Sequence, residues 1–177
     1  MQPPLTFETE RLFLRQPITG DATSIFEQYA KDPEVTKYLS WQPHKSLAQT
    51  DEYIRRCLSV WNSQSAFPYV LITKQDVRLI GAIEIRIERH KADLGYVLTK
   101  SEWGKGYMPE AVKLLINWAL RQNNIYRVWA VCDFENNSSA RVMEKVGMQQ
   151  EGVLKRWLIH PNIDPQSRDC LCYSVYK

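Results

Sequence analysis

The sequence predicts an α/β fold: a mixed, mostly antiparallel sheet of about seven strands flanked by about four helices. Three observations lead there. The hydrophobic period switches between 2 and 3.6 along the chain, in the order strand, two helices, three strands, helix, strand, helix, two strands. The three consecutive strands are separated by short turns, as in an antiparallel meander, and the strand–helix–strand segment after them has the form of a crossover. Between the meander and the crossover helix lies the turn Trp103-Gly-Lys-Gly-Tyr-Met-Pro-Glu-Ala111, where an α/β sheet opens a ligand crevice.

Taken in order, Glu10 to Gln16 alternates polar and apolar residues like an opening strand. Thr19 and Asp21 offer capping oxygens for a helix running to about Lys31. Ser46-Leu-Ala-Gln49 has the form of a capping box for a second helix, whose Tyr53, Ile54, Cys57, Leu58 and Trp61 follow helical spacing. Phe67 to Thr73, Leu79 to Glu88 and Ala92 to Leu98 read as strands, with turns at Lys74-Gln-Asp-Val and His90-Lys91. Ala111, Leu114, Leu115, Trp118 and Ala119 form one stripe of the next helix, which Asn123-Asn124 ends. Tyr126 to Asp133 is a strand, Ser138 to Val146 a short helix closed by Gly147, and two further strands complete the order. With no repeat, linker or low-complexity tract, residues 1–177 read as one domain.

Composition excludes several classes. Hydrophobic content of 44% and charged content of 24% are those of a globular chain. The net charge of +3 is small and its basic residues are scattered, so no nucleic-acid partner is expected. No apolar run reaches the ~18 residues of a membrane span, and the first residues lack the pattern of a secretory signal. Cys57, Cys132, Cys170 and Cys172 have no metal-ligand spacing. They read as reduced, small apolar fillers, which suits a cytoplasmic protein. The oligomeric state stays open, a homodimer included.

The turn itself carries chemistry. Gly104 and Gly106 let the backbone take dihedrals closed to other residues and approach a ligand closely. Pro109 suits the first turn of a helix, because its missing N–H would be unpaired there. The free N–H groups and the dipole of the helix that follows face a position suited to phosphate. A tight strand-to-helix turn accounts for the glycines equally well; their neighbours decide.

Those neighbours resemble the GNAT acetyltransferases, and most closely the RimJ/RimL-type branch that acetylates N-termini of ribosomal proteins. Thr9-Glu-Arg-Leu-Phe-Leu-Arg15 is similar to that branch's opening strand, Leu79-Ile-Gly-Ala82 to its I-G strand and Leu94-Gly-Tyr-Val-Leu98 to its L-G-Y strand. Glu135-Asn-Asn-Ser-Ser139 with Arg141-Val-Met-Glu-Lys-Val-Gly-Met148 is similar to the second cofactor motif, followed by Glu151-Gly-Val153. The resemblance covers nearly the whole chain. It implies the GNAT (acyl-CoA N-acyltransferase) fold with a central splay, acetyl-CoA as co-substrate, no metal, and direct transfer of acetyl from sulfur to an amine.

It also implies roles. The loop Trp103, Gly104, Lys105, Gly106, Tyr107 and Met108 would wrap the pyrophosphate. Met108 departs from the usual Gly or Ala, but its side chain can turn away while its N–H donates. The backbone of Tyr96, Val97 and Leu98 would pair with the pantetheine arm as an added strand does, and Gly95 would mark a bulge that causes the splay. Asn136 matches the Asn whose amide meets the pantetheine, while Asn137 suits a cap. Many members protonate the leaving thiolate from a Tyr where this chain has Met143. The RimJ/RimL-type branch uses a Ser at position 139, which is kept, so Ser139 is the expected general acid. Asp93 and Glu84 are the candidate bases, with His90 a further titratable group at the hairpin. Trp41, Trp61 and Trp157 would line the acceptor cleft, and Trp118 is core. The acceptor is then a protein N-terminus, with a small-molecule amine as the alternative. A non-catalytic acyl-CoA sensor would keep Gly104, Gly106 and Asn136 without needing Ser139.

Overall fold

A computed structural model describes residues 2–177. Its eight strands form one sheet: β1 (Thr6–Glu8), β2 (Leu12–Arg15), β3 (Phe67–Thr73), β4 (Leu79–Glu88), β5 (Lys91–Leu98), β6 (Arg127–Asp133), β7 (Gln149–Ile159) and β8 (Ser167–Tyr176). Their order across the sheet is β1-β2-β3-β4-β5-β6-β8-β7. Every neighbouring pair is antiparallel except β5 with β6, which the crossover helix makes parallel. The extra strand is β1, which pairs with β2 from Thr6–Arg15 to Glu8–Phe13. Three residues are too few to show a period, so the sequence reading stopped at one opening strand.

The helices are α1 (Ala22–Ile25), α2 (Pro33–Thr36), α3 (Leu47–Asn62), α4 (Tyr107–Arg121) and α5 (Asn137–Lys145). The alternation of strand residues divides two cores. Ala82 packs with Ile25, Tyr29 and Ile54 of α1, the segment after it and α3. Ile83, Ile85, Leu94 and Val128 pack with Ala111, Leu115 and Met143 of α4 and α5. No helix among the described residues is long and apolar enough to cross a membrane.

Several helix ends differ from expectation. The first helix passes from a 3₁₀ turn through α1 into a π-helical segment, Phe26–Ala30, where Lys31 N–H donates to Phe26 C=O. Thr99 Oγ1 donates to Gln28 C=O at 2.7 Å, and His44 N–H to Ala30 C=O at 2.8 Å, so neighbouring segments occupy carbonyls of that turn. The short α2 was not foreseen, although Asp32 caps it and Pro33 opens it as the rules describe. Ser46 stands at the N-cap of α3 without a side-chain cap bond, and Gln49 instead accepts from Lys45 N–H. The cap of α5 is Asn136, not Asn137: its Oδ1 accepts from Ser139 N–H at 3.1 Å.

One buried charge ties the β6–β8 end of the sheet together. Asp133 is fully buried and accepts from Arg168 Nε at 2.7 Å and Nη2 at 3.2 Å, and from Glu135 N–H at 3.0 Å. Buried His160 lies 3.6 Å away. Burial pushes the Asp133 carboxyl up, but Arg168 and the Glu135 N–H outweigh it and hold the group below the ordinary carboxylate range. A value below that of the unfolded chain stabilises the fold above about pH 4, and this contribution is lost as pH falls through the lower folded value. Asp133→Asn should therefore destabilise by about 2–3 kcal/mol at pH 7. In urea unfolding followed by circular dichroism, the gap from the parent should narrow below about pH 4.

Candidate functional site

The site begins where one ladder stops. β5 and β6 pair only at Lys91–Arg127, Ala92–Val128 and Asp93–Trp129. Beyond them β5 stays on β4 as far as Leu98–Gly81, and β6 stays on β8 as far as Asp133–Cys170. The result is a V with Leu94–Leu98 on one arm and residues 130–133 on the other. Thr99 N–H donates to Ile80 C=O at 2.8 Å. With a period of two, Gly95 and Val97 then turn their backbone groups to β4, while Leu94, Tyr96 and Leu98 turn theirs into the opening. Val97 is thus corrected: of the three residues expected to offer backbone to a ligand, it faces the other way. Leu98 C=O already accepts from Trp103 Nε1 at 2.8 Å. Gly95 is corrected too. It sits in regular register opposite Glu84 without a bulge, and an added Cβ would meet the Arg86 guanidinium at 3.7 Å.

At the mouth of the V, the turn after β5 delivers the chain into α4. Gly104 and Gly106 have φ of 77° and 85°, the left-handed region that favours glycine, and Gly106 is the N-cap of α4. The backbone N–H groups of residues 104–108 donate to no other protein group among the described residues. They form a nest of donors at the positive end of a 15-residue helix. Met108 is buried in the core, so its side chain leaves this nest clear. Lys105 pairs with Glu102 at 3.1 Å, and buried Glu102 also accepts from Arg78 at 2.7 Å. Arg11 braces the turn from β2's side. It donates to Lys105 C=O at 3.0 Å and to Glu110 at 2.7 Å, and its guanidinium lies 4.5 Å from the Tyr107 ring. Sequence reasoning gave Arg11 no place in the site, because the contact spans 94 residues.

Inside the V, the first turn of α5 brings Ser139 to Tyr96. The two hydroxyl oxygens are 2.8 Å apart, and Tyr96 Oη lies 3.3 Å from Ser139 C=O. The sequence pointed to Tyr96 for its backbone only; its side chain was missed. The Asn136 carboxamide oxygen is used by the cap, which leaves its NH₂ without a partner among the described residues. Cys132, on β6, is buried, and burial pushes its thiol up to about 12. Burial likewise raises Cys57 and Cys170 to about 11 and raises Cys172. All four cysteines are free and hold their protons at neutral pH, so none is a ready nucleophile.

On the opposite face of the sheet, Glu84 and Asp93 meet through Arg86. The guanidinium donates to Glu84 Oε1 at 2.5 Å and to Asp93 Oδ2 at 2.7 Å. Neither candidate base stands free, although Glu84 Oε2 and Asp93 Oδ1 make no bond to another described residue. His90 is exposed in the β4–β5 turn, at the far end of β5 from the glycine turn. Trp61 is corrected from the cleft to the core: it is 2% exposed, donates to Pro68 C=O at 2.7 Å and packs edge-on against Phe67 and Tyr69. Trp157 is exposed on β7, and Trp118 packs against Phe7. Trp41 packs with His44 and Tyr53, with ring centres 5.1 and 6.3 Å away, beside a depression of about 350 Å³.

Comparison with known proteins matches residues 11–149 to the acetyltransferase (GNAT) domain. The chain is 33% identical over 153 residues to the uncharacterized N-acetyltransferase p20 of Bacillus licheniformis, covering 85% of each. It is 28% identical over 176 residues to the [ribosomal protein uS5]-alanine N-acetyltransferase of Escherichia coli, covering 94% of this chain and 88% of that one. Among solved structures, microcin C7 self immunity acetyltransferase MccE, in complex with acetyl-CoA and AMP, superposes with a TM-score of 0.86 at 21% identity. That superposition covers 96% of this chain and 94% of MccE, and shows the shared fold. The chain belongs to the GNAT acetyltransferase family and is similar to its RimJ/RimL-type branch.

Proposed function

From this membership, we propose that residues 1–177 are a single cytoplasmic acetyltransferase domain that moves acetyl from acetyl-CoA directly to the α-amine of a protein N-terminus, of ribosomal-protein type. The observation that carries the proposal is a hydroxyl, Ser139, beside an unpaired strand edge that leads to a nest of free N–H groups. The likeness to the uS5-alanine enzyme supports the protein acceptor.

Bound acetyl-CoA supplies the activated thioester. The N–H groups of residues 104–108 hold its pyrophosphate, helped by the α4 dipole more than by Lys105, whose charge is committed to Glu102. Tyr96 and Leu98, with Leu94, offer the pantetheine amides their outward backbone groups, and the Asn136 NH₂ meets the same arm. Glu84 and Asp93, steadied by Arg86, draw the acceptor ammonium through their remaining oxygens. An α-amine titrating near ~8 gives up its proton to such a carboxylate or through water far more readily than a lysine near ~10.4. The neutral nitrogen then attacks the acetyl carbon, the carbon–sulfur bond breaks, and its electron pair goes to sulfur. Ser139 donates its hydrogen to that sulfur, whose charge is largest as the bond breaks. With every cysteine protonated, no acyl-enzyme step is needed.

A small-molecule amine is the second reading. The aromatic depression beside Trp41, His44 and Tyr53, edged by Arg56, has the size of a small-ligand pocket. Thiol release from acetyl-CoA, with peptides bearing free N-terminal Ala or Ser set against spermidine and amino acids, separates the two. Turnover with the peptides alone is expected; turnover confined to the small amines overturns the protein acceptor.

Two substitutions test the machinery. Ser139→Ala should lower kcat about 10- to 100-fold and leave the calorimetric Kd for CoA unchanged. Unchanged turnover would remove Ser139 from the reaction. Gly106→Ala puts a side chain at φ 85° and 3.4 Å from Arg11, a strain of about 1–2 kcal/mol. CoA affinity should fall roughly 5- to 30-fold.

A further inference from the structure

We propose that Tyr96 is a positioning residue whose phenol fixes the Ser139 hydroxyl so that its hydrogen points at the leaving sulfur. The inference rests on the role given to Ser139 above, and it goes beyond that role by naming what orients the group.

The geometry is specific. Tyr96 Oη lies 2.8 Å from Ser139 Oγ and 3.3 Å from Ser139 C=O, and among the described residues neither hydroxyl has another partner. The contact joins the two arms of the V, since Tyr96 belongs to β5 and Ser139 to the helix that follows β6. An unassisted serine hydroxyl rotates among several orientations, and only some of them aim its single hydrogen at a given acceptor. When the phenol donates to Oγ it occupies one lone pair there, and the serine hydrogen turns outward. Hydrogen bonds in such a chain also polarise one another, which makes the serine a stronger donor as charge develops.

Burial pushes the Tyr96 phenol well above its ordinary value. It therefore stays protonated as a donor and is a poor source of a proton for a thiolate. No proton leaves Tyr96 in this scheme: the electron pair of the broken carbon–sulfur bond goes to sulfur, and the Ser139 hydrogen bonds to it.

The test is a double-mutant cycle on the whole chain, using Tyr96→Phe, Ser139→Ala and the double variant. Steady-state kinetics are run with whichever acceptor of the panel turns over, alongside calorimetric CoA binding. Tyr96→Phe removes one oxygen, and its thermal melt should match the parent's. Its kcat should fall about tenfold, while KM for acetyl-CoA and Kd for CoA stay within about twofold. In the Ser139→Ala background the same change should alter kcat less than about twofold. Equal losses in both backgrounds, wild-type kcat in Tyr96→Phe, or a higher KM with kcat unchanged would each overturn the proposal. If Ser139→Ala alone leaves turnover intact, the role of Ser139 itself has failed, and that result is visible before the double variant is made.

Discussion

The parallel ladder between β5 and β6 ends at Asp93 and Trp129, and the sheet holds together past that point because each arm keeps its outer neighbour, β4 or β8. Backbone N–H and C=O groups left without partners are costly unless water or a ligand satisfies them. An interrupted ladder in the middle of a sheet therefore persists only where solvent or a bound chain-like molecule can enter. The alternation of β5 then decides which residues meet that visitor. Leu94, Tyr96 and Leu98 turn backbone inward to the V, while the side chains of Glu84, Arg86 and Asp93 lie on the other face. One strand pairing thus separates a donor side from an acceptor side.

The donor side is rigid for reasons outside the glycine turn. Two left-handed glycines would leave a loose loop if nothing else held it. Arg11 reaches from β2 to Lys105 C=O, Tyr107 and Glu110, and Arg78 reaches Glu102 from β4. The turn is therefore clamped on both flanks with its N–H groups left free. This is pre-organisation: the donors need no rearrangement to receive an anion.

Much of this was legible in the sequence, and the parts that were not share a cause. Long periodic segments announced β3 to β8, α3, α4 and α5, and the order around the glycine turn identified the family. The three-residue β1 and the four-residue α2 are too short for a period to show. Trp61 carries the helical spacing of its neighbours, and only packing tells core from cleft. The Val97 correction came from strand parity, which shifts with a single residue of register. Tyr96 with Ser139, and Arg86 between Glu84 and Asp93, are pairings made across the fold, which no local pattern encodes. Residue types could suggest carboxylates near the acceptor, but not that an arginine already holds them.

The π-helical segment Phe26–Ala30 has a consequence for how this chain tolerates changes in length. A π turn spans one residue more than an α turn before its bond closes, as Lys31 N–H to Phe26 C=O does here. Deleting one residue from it would rewind the segment to α geometry and swing everything that follows by about 100° about the helix axis. The carbonyls of Gln28 and Ala30 would then miss Thr99 and His44. Because Thr99 joins the end of β5 to the glycine turn, an indel some seventy residues upstream would loosen the donor end of the protein. Chain length in this helix is thus a structural parameter in its own right, as fixed as the identity of any side chain in the V.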